Sequence, residues 1–592
     1  MLEKNEKEST AGLHAGGCPA RQHIAGRLRR QRRHGLPPAG NRGPVAGAAS
    51  GTASTSTELA DEQVVYLTQP EIRTLDSTQM NDNQSATVLV NTMEGLFRYS
   101  FDDQGNATAE KAGCTDYTVS DDGLTYTFTL RENTWSDGEP VTADDYVYAV
   151  SRLLDPDLAA PYAFFAEGLV NADKYLSGEI TDFSQVGCKA LDDMTVEYTL
   201  AEPDSTFLAK LASPEFLPLR QDIVEQYGDN YGTDYTQLVF NGPFKITEWT
   251  NTASGKFEKN ESYWNADNVT LQEINMTYNN EQSTLDQLFK EGQLSQFGAA
   301  TDYIAVYEQM AQSGQCQEIS YPSDGGEFWI SMSLGGGPSG LMSNVNIRRA
   351  VGLSIDGEAY CSTIYGRYTP ADDLIPPAIS WDGQQFTEAT GGAKWADDIA
   401  EYRNQPEKLQ EMFKQGLEEL GLQTDDLSQY TLSYMTYDTG SSLNKQSQEF
   451  IQQQIEQNLG INVELNVLSG WQQYGAEVED GSKWDISMNG WVPDYNDPMT
   501  YFGIWETGGS SNYEQYANPE YDQLLKDAQA ETDSDKRLDM YSQLDQMLHD
   551  DFICMPLYFT DVKSFIQPYI QGVQIGTMGY MWDYSKVQVM AH

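Results

Sequence analysis

Histidine is nearly missing from this sequence. Its five copies are His14, His23, His34, His549 and His592, so three fall in the first 34 residues and two in all the rest. That scarcity excludes the common routes to a histidine-ligated zinc centre, a Ser-His-Asp triad or an imidazole general base. Cysteine is sparse as well: Cys18, Cys114, Cys188, Cys316, Cys361 and Cys554 stand far apart with no CxxC, which removes metal knuckles. No run of about 18 apolar residues exists, so no transmembrane helix is expected in the body. Positive charge is short too. Against 89 Asp and Glu there are 36 Lys and Arg, a net −53 that repels phosphate and excludes nucleic acid as a partner. No metal site and no cofactor are called for by any motif.

Apolar and aromatic residues are plentiful. With 39% hydrophobic residues, 35 Tyr and 11 Trp the chain can fill packed cores, and 592 residues exceed what one core organises, so two or three domains are expected. Charge is unevenly spread: residues 1–60 carry nine basic and four acidic residues, a balance of +5 that leaves −58 for the remainder. This lead-in is rich in Gly, Pro and Ala and reads as disordered, and 46–57 (AGAASGTASTST) reads as a flexible tether. No apolar signal core of about 7 residues precedes position 60. Residues 1 to about 45 therefore read as a mis-started or frame-shifted version of a signal peptide, with Ala15-Gly16-Gly17-Cys18 a weak lipoprotein box.

Periodicity divides the body. Residues 124–130 alternate apolar and polar after the turn Asp121-Asp122-Gly123, and strands continue at 195–200 and 244–249. Farther on, Pro406 opens a helix whose face is Leu409, Met412, Phe413, Leu417 and Leu420, closed by Gly421. Phe450, Ile451, Ile455 and Leu459 form a second such face before Gly460, and Ile461, Val463, Leu465 and Val467 then alternate as a strand. Leu538, Tyr541, Leu544, Met547 and Leu548 lead into an apolar strand at 553–559. Helix followed by strand is the alternation of an α/β domain. Cys114 and Cys188 occupy similar contexts ahead of strands; should those strands pair, a disulfide would join them in an exported protein.

Three catalytic patterns fail on their own terms. Gly335, Gly337 and Gly340 spell GxGxxG, but Pro338 interrupts the entry to a helix and a turn is expected instead. Ser442 and Lys445 make SxxK without any KTG. Acid pairs such as Asp192-Asp193 are numerous, and none stands out as a glycosidase pair.

Nine stretches, read in order, resemble the extracellular oligopeptide-binding proteins of ABC transporters, the solute-binding family that takes peptides, nickel and opines. They are MEGLFRY at 93–99, VSDDGLTYTFTLR at 119–131, WSDGEPVTADDYVY at 135–148, LLDP at 153–156, NGPFK at 241–245, NESYW at 260–264, NIRRAV at 346–351, NGWVPDYNDP at 489–498 and NPEYD at 518–522. The resemblance implies a bilobed α/β periplasmic-binding-protein fold of type II with an additional domain. Lobe I would be built from 61–106, 238–331 and 556–592, the additional domain from 107–237 and lobe II from 332–555. A ligand would be trapped between the lobes by hinge closure.

The resemblance also implies site residues. Main-chain hydrogen bonds would hold an extended peptide, and one fixed carboxylate would anchor its ammonium. That carboxylate is Asp494, in a W-x-x-D-Y stretch opened by Trp491; as a residue type in Asp-Tyr-Asn-Asp-Pro it equally suits a turn former. Tyr162 and Trp471 correspond to aromatics that line the site, and Asn83 to a loop lending its backbone to the ligand. Where relatives place basic residues to clamp the peptide carboxylate, Met488 and Glu479 stand here, so that carboxylate is held elsewhere, for example by Arg367, or the ligand is not an ordinary short peptide. The function implied is a monomeric, non-catalytic receptor that delivers oligopeptides to the permease subunits. It would meet a membrane only through an N-terminal lipid anchor. A sugar, opine or metal-complex binder on the same fold stays open, as does a secreted acid-pair hydrolase.

Overall fold

The computed structural model describes residues 57–592 apart from 103, 104, 280, 322 and 324. Residues 1–56, which hold Cys18 and nearly all of the lead-in and its tether, lie outside the described residues.

Four sheets organise the chain. Val64–Thr68, Glu273–Thr277, Ser254–Lys259 and Phe244–Thr250 form the first, with a parallel pair at one edge and antiparallel pairing beyond it. The second is wholly antiparallel, in the order Cys114–Val119, Thr125–Leu130, Thr195–Thr199, Cys188–Asp192. A six-stranded mixed sheet runs Thr369–Pro370, Cys554–Phe559, Glu327–Met332, Ile486–Trp491, Thr431–Tyr437, Asn462–Leu468. A three-stranded sheet holds Gln296–Phe297, Val562–Ile566 and Gln317–Tyr321. Sheets carrying helices in two separate bodies make a bilobed α/β molecule of the type II binding-protein class.

The expected helices form for the expected reasons. Pro406–Glu419 begins on its N1 proline and buries Leu409, Phe413 and Leu417. Ser442–Leu459 buries Ile451, Ile455 and Leu459 and stops at Gly460, whose φ of 75° is costly for any residue with a Cβ. Ser534–Asp551 buries Tyr541, Leu544 and Leu548, then passes into Cys554–Phe559, buried along its whole length. Alternation fails in one place. Val467 is 47% exposed and Leu468 is buried instead, because the edge strand Asn462–Leu468 turns at its end to pack Leu468 with Met435, Tyr474 and Trp484.

Sheet pairing corrects three expectations. Cys114 and Cys188 are buried free thiols on opposite edges of the second sheet. Two strands lie between theirs, which puts them roughly 14 Å apart at about 4.8 Å per strand, beyond disulfide reach. The boundaries drawn at 331/332 and 555/556 cut through strands Glu327–Met332 and Cys554–Phe559, both of the six-stranded sheet. The boundary at 106/107 falls inside the hairpin Phe97–Phe101/Ala107–Lys111.

A buried ion network ties the distant pieces of the first body together. Arg98 pairs with Glu94 at 2.6 Å and Asp583 at 2.9 Å, while Tyr263 Oη and Trp264 Nε1 donate to Glu94 at 3.0 and 3.1 Å. Burial alone would raise Asp583, but Arg98 and Ser585 outweigh it and hold its carboxyl below the usual range. Gln63 Nε2 donates to Val589 O at 2.8 Å, closing the same body at its two ends.

Candidate functional site

The central strand Ile486–Trp491 delivers the W-x-x-D-Y stretch to the place where the chain passes between bodies. Thr560 N–H donates to Gly326 O at 2.9 Å, binding the two passages side by side. Gly325 has φ 90°, and a Cβ there would press on Pro493. Tyr501 Oη also donates to Gly325 O. A side chain would therefore push the 493–494 loop off the joint, which is why glycine occupies it.

Within the loop, turn-forming work falls to the residues after Asp494. Asp497 Oδ1 accepts from Met499 N–H at 2.9 Å and Tyr541 Oη at 2.7 Å. Asn496 reaches across, donating Nδ2 to Ala107 O at 2.6 Å and its backbone N–H to Tyr99 Oη at 3.3 Å. Asp494 is left with a half-buried carboxylate whose one hydrogen-bond partner among the described residues is Thr500 Oγ1, at 3.5 Å. Burial pushes Asp494 up to about 7, against the pull of Thr500 and Lys210. A carboxyl so weakly partnered in a low-dielectric site calls for a cation.

The structure brings Trp491 and Tyr162 to the same place. Trp491 Nε1 donates to Thr500 Oγ1 at 3.5 Å, and the Asp494 N–H donates to that oxygen at 3.1 Å. Tyr162 packs against Phe165 with centroids 5.4 Å apart, and Phe165 packs on Tyr495 at 6.0 Å. Burial, then the charges of Asp494 and Glu215, raise the Tyr162 phenol well above its ordinary value.

Trp471 and Asn83 fall elsewhere. Trp471 is 60% exposed and starts the helix Trp471–Val478, with Tyr437 and Tyr474 each 5.7 Å from it, a separate aromatic group at the end of the edge strand. Asn83 is not in a loop: capped by Asp82, it is the first residue of helix Asn83–Thr92, and its carbonyl accepts from Thr87 Oγ1 at 2.6 Å. Arg367 is already engaged, with Nε 3.1 Å from Asp561 Oδ1 and its guanidinium 4.7 Å from the Tyr368 ring centroid. Met488 accepts from Tyr360 Oη at 3.8 Å, and Glu479 is exposed.

Several residues at the site escaped the sequence reading. Glu215 lies in the turn Pro214–Phe216, one residue beyond Ser213-Pro214, and is 5% exposed. Ser213 Oγ donates to Asp494 O at 3.4 Å. The available signal was an acid inside the apolar run 214–219, where a charge has no reason to be unless something meets it. The GxGxxG glycines, by contrast, are structural: Ser339 N–H and Oγ donate to Asp485 Oδ1 at 3.1 and 2.7 Å, and a Cβ on Gly337 would strike that same oxygen. Lys445 of the SxxK pattern is exposed and pairs with Glu449 at 3.7 Å. Among the described residues no group of three or more His, Cys, Asp or Glu could hold a metal ion, and no helix is long and apolar enough to cross a membrane.

Comparison with known proteins identifies the fold and the family. The chain is 30% identical over 529 residues to the dipeptide-binding protein DppE of Bacillus subtilis, covering 88% of this chain and 92% of that protein. It superposes on the substrate-binding domain of an oligopeptide ABC transporter from Bacillus anthracis with TM-score 0.70 and 31% identity, over 90% of this chain and all of that one. Listeria monocytogenes OppA bound to peptide gives TM-score 0.69 and 30% identity over the same shares. The model for bacterial extracellular solute-binding proteins, family 5, matches residues 108–513, more than half of the chain. This chain belongs to the family 5 extracellular solute-binding proteins.

Proposed function

We propose that this protein is the extracytoplasmic receptor of an ABC transporter, closing its two lobes on oligopeptides and delivering them to the permease. The carrying observation is Asp494, a weakly partnered buried carboxyl at the joint of a chain similar over nine-tenths of its length to a receptor solved with peptide bound. The family is one of solute binding rather than catalysis.

The physical work divides simply. Asp494 takes the ligand ammonium through a charge-assisted hydrogen bond, and Tyr162 and Trp491 shield that bond from water. Main-chain groups of the ligand pair with loop and strand edges, so affinity does not read sequence. Trp471, on its separate aromatic group, lines the far part of the cleft. Asn83 offers only backbone from a helix start. Sheet pairing supports a first lobe of 61–111, 238–321 and 562–592 and a second of about 327–559, leaving 112–237 for the additional domain. In this reading the receptor acts outside the cytoplasm as a monomer and meets the membrane only through an N-terminal lipid anchor.

Mass spectrometry of ligand released from freshly purified, denatured protein tests the proposal. Recovered peptides are expected. An oligosaccharide, an opine or a metal chelate in their place overturns it.

A further inference from the structure

Glu215 is a buried carboxyl with neither an ion pair nor a hydrogen bond to another residue among the described residues. Its turn is fastened to the candidate anchor, since Ser213 Oγ donates to Asp494 O at 3.4 Å. Tyr99 Oη accepts from Asn496 N–H at 3.3 Å, and Tyr162 packs through Phe165 onto Tyr495, so both rings border the loop that carries Asp494. Helix Asn83–Thr92, packed on that turn, carries no titratable residue. Helix Ala143–Leu153, also packed there, brings Asp145, which accepts from Trp135 Nε1 and the Thr142 N–H.

The pocket's own cations are spoken for. Lys210 pairs with Asp204 at 2.8 Å, and Asp204 further accepts from Thr206 N–H at 2.9 Å and Oγ1 at 2.6 Å. Arg537 goes to Asp497, 3.6 Å away. Asp494 and the turn bearing Glu215 are thus neighbours, and neither carboxyl has an ion-pair partner among the described residues.

Resting on Asp494 as the ammonium anchor, we propose that Glu215 is the second carboxylate of this pocket and selects ligands with two positive charges at their amino end. Asp494 takes the α-ammonium, and Glu215 takes a cationic first side chain, as in a peptide beginning with Lys or Arg. A lone ammonium neutralises one carboxylate and strands the other as an unpaired buried charge or a retained proton. A dication satisfies both. Burial pushes Glu215 up to about 8; its own backbone N–H works against that and the Asp494 charge adds to it, as befits a pocket short of positive charge.

The experiment offers full-length protein an equimolar mixture of tetrapeptides X-Ala-Ala-Ala covering every first residue, and quantifies retained peptides by mass spectrometry. Lys and Arg are expected at least tenfold enriched over Ala at the first position. In Glu215→Gln the Lys-to-Ala ratio should fall to near unity, while Glu215→Asp should restore part of it, a pattern that loss of folding cannot imitate because it is a ratio within one sample. Binding of Nα-acetylated Lys-Ala-Ala-Ala as tightly as the free peptide removes Asp494 as anchor and the inference with it. Discrimination against the acetylated peptide without any first-residue charge preference, or with one that Glu215→Gln leaves intact, keeps the anchor and overturns the role of Glu215. Retention of no peptide overturns both.

Discussion

Two groups of buried acids in this protein titrate alike and mean different things. Asp494 and the turn that carries Glu215 are joined by Ser213 Oγ, which donates to Asp494 O at 3.4 Å. Glu327, Asp373 and Asp545 meet inside one body, between the central strand Glu327–Met332, the segment leading to 379 and the helix Ser534–Asp551. Both Glu327 oxygens lack a hydrogen-bond partner, and burial raises all three, with Asp373 raised further by facing Asp545. The difference is access. The interior trio is sealed by strand, loop and helix, so a proton is what relieves it; Asp494 is only half-buried, so a ligand's cation can reach it.

The largest break of that comparison comes from the joint. Asp494→Asn should cost about 2 to 5 kcal/mol of affinity for peptides with a free amino terminus and little for acetylated ones, measured by titration calorimetry. Equal losses for both would put Asp494 in the same class as the interior trio. Next in size is the interior: Glu327→Gln removes an unpartnered acid and should stabilise the fold by about 1 to 3 kcal/mol in urea denaturation at alkaline pH, leaving peptide affinity unchanged. Any shift in affinity there would mean the two groups are coupled.

A pH titration separates them at smaller amplitude. Each carboxyl has its folded value raised above its unfolded one, so the native state binds more protons and stability falls with rising pH. The contribution is complete below about pH 4 and is lost through the values of about 7 for Asp494 and about 8 for Glu215, with a slope of up to about 1.4 kcal/mol per pH unit per group. Bound peptide should remove the share due to the pair at the joint and leave the share due to the trio. Affinity for a free-amino peptide should in turn rise from pH 6 to pH 8 as Asp494 loses its proton. The smallest effect is expected at Trp471→Ala: at 60% exposure it should change stability by no more than about 0.5 kcal/mol, so any larger loss of peptide affinity marks ligand contact rather than packing.

Much of this was legible one segment at a time. Helices at Pro406–Glu419, Ser442–Leu459 and Ser534–Asp551 follow from apolar spacing, an N1 proline and a terminal glycine, because a helix face and its ends are written within a few residues of each other. Asp494 was found through its motif. Glu215 was not, since the turn carrying it meets Asp494 only through a contact spanning 281 positions, from Ser213. Asn83 was placed in a loop by the resemblance alone, while Asp82 caps a helix there. Cys114 and Cys188 misled because similar context says nothing about which strands lie between.

By itself, then, the sequence determined the elements, the near-absence of histidine chemistry, the acidic surface and the loop that bears Asp494, all of which depend on local spacing and composition. Only the tertiary structure decided which strands share a sheet, that two similar cysteines sit on opposite edges of one, and which of many carboxyls lie without an ion pair among the described residues. Those outcomes depend on strand order and on burial without a counter-charge, and neither is written in the neighbourhood of any single residue.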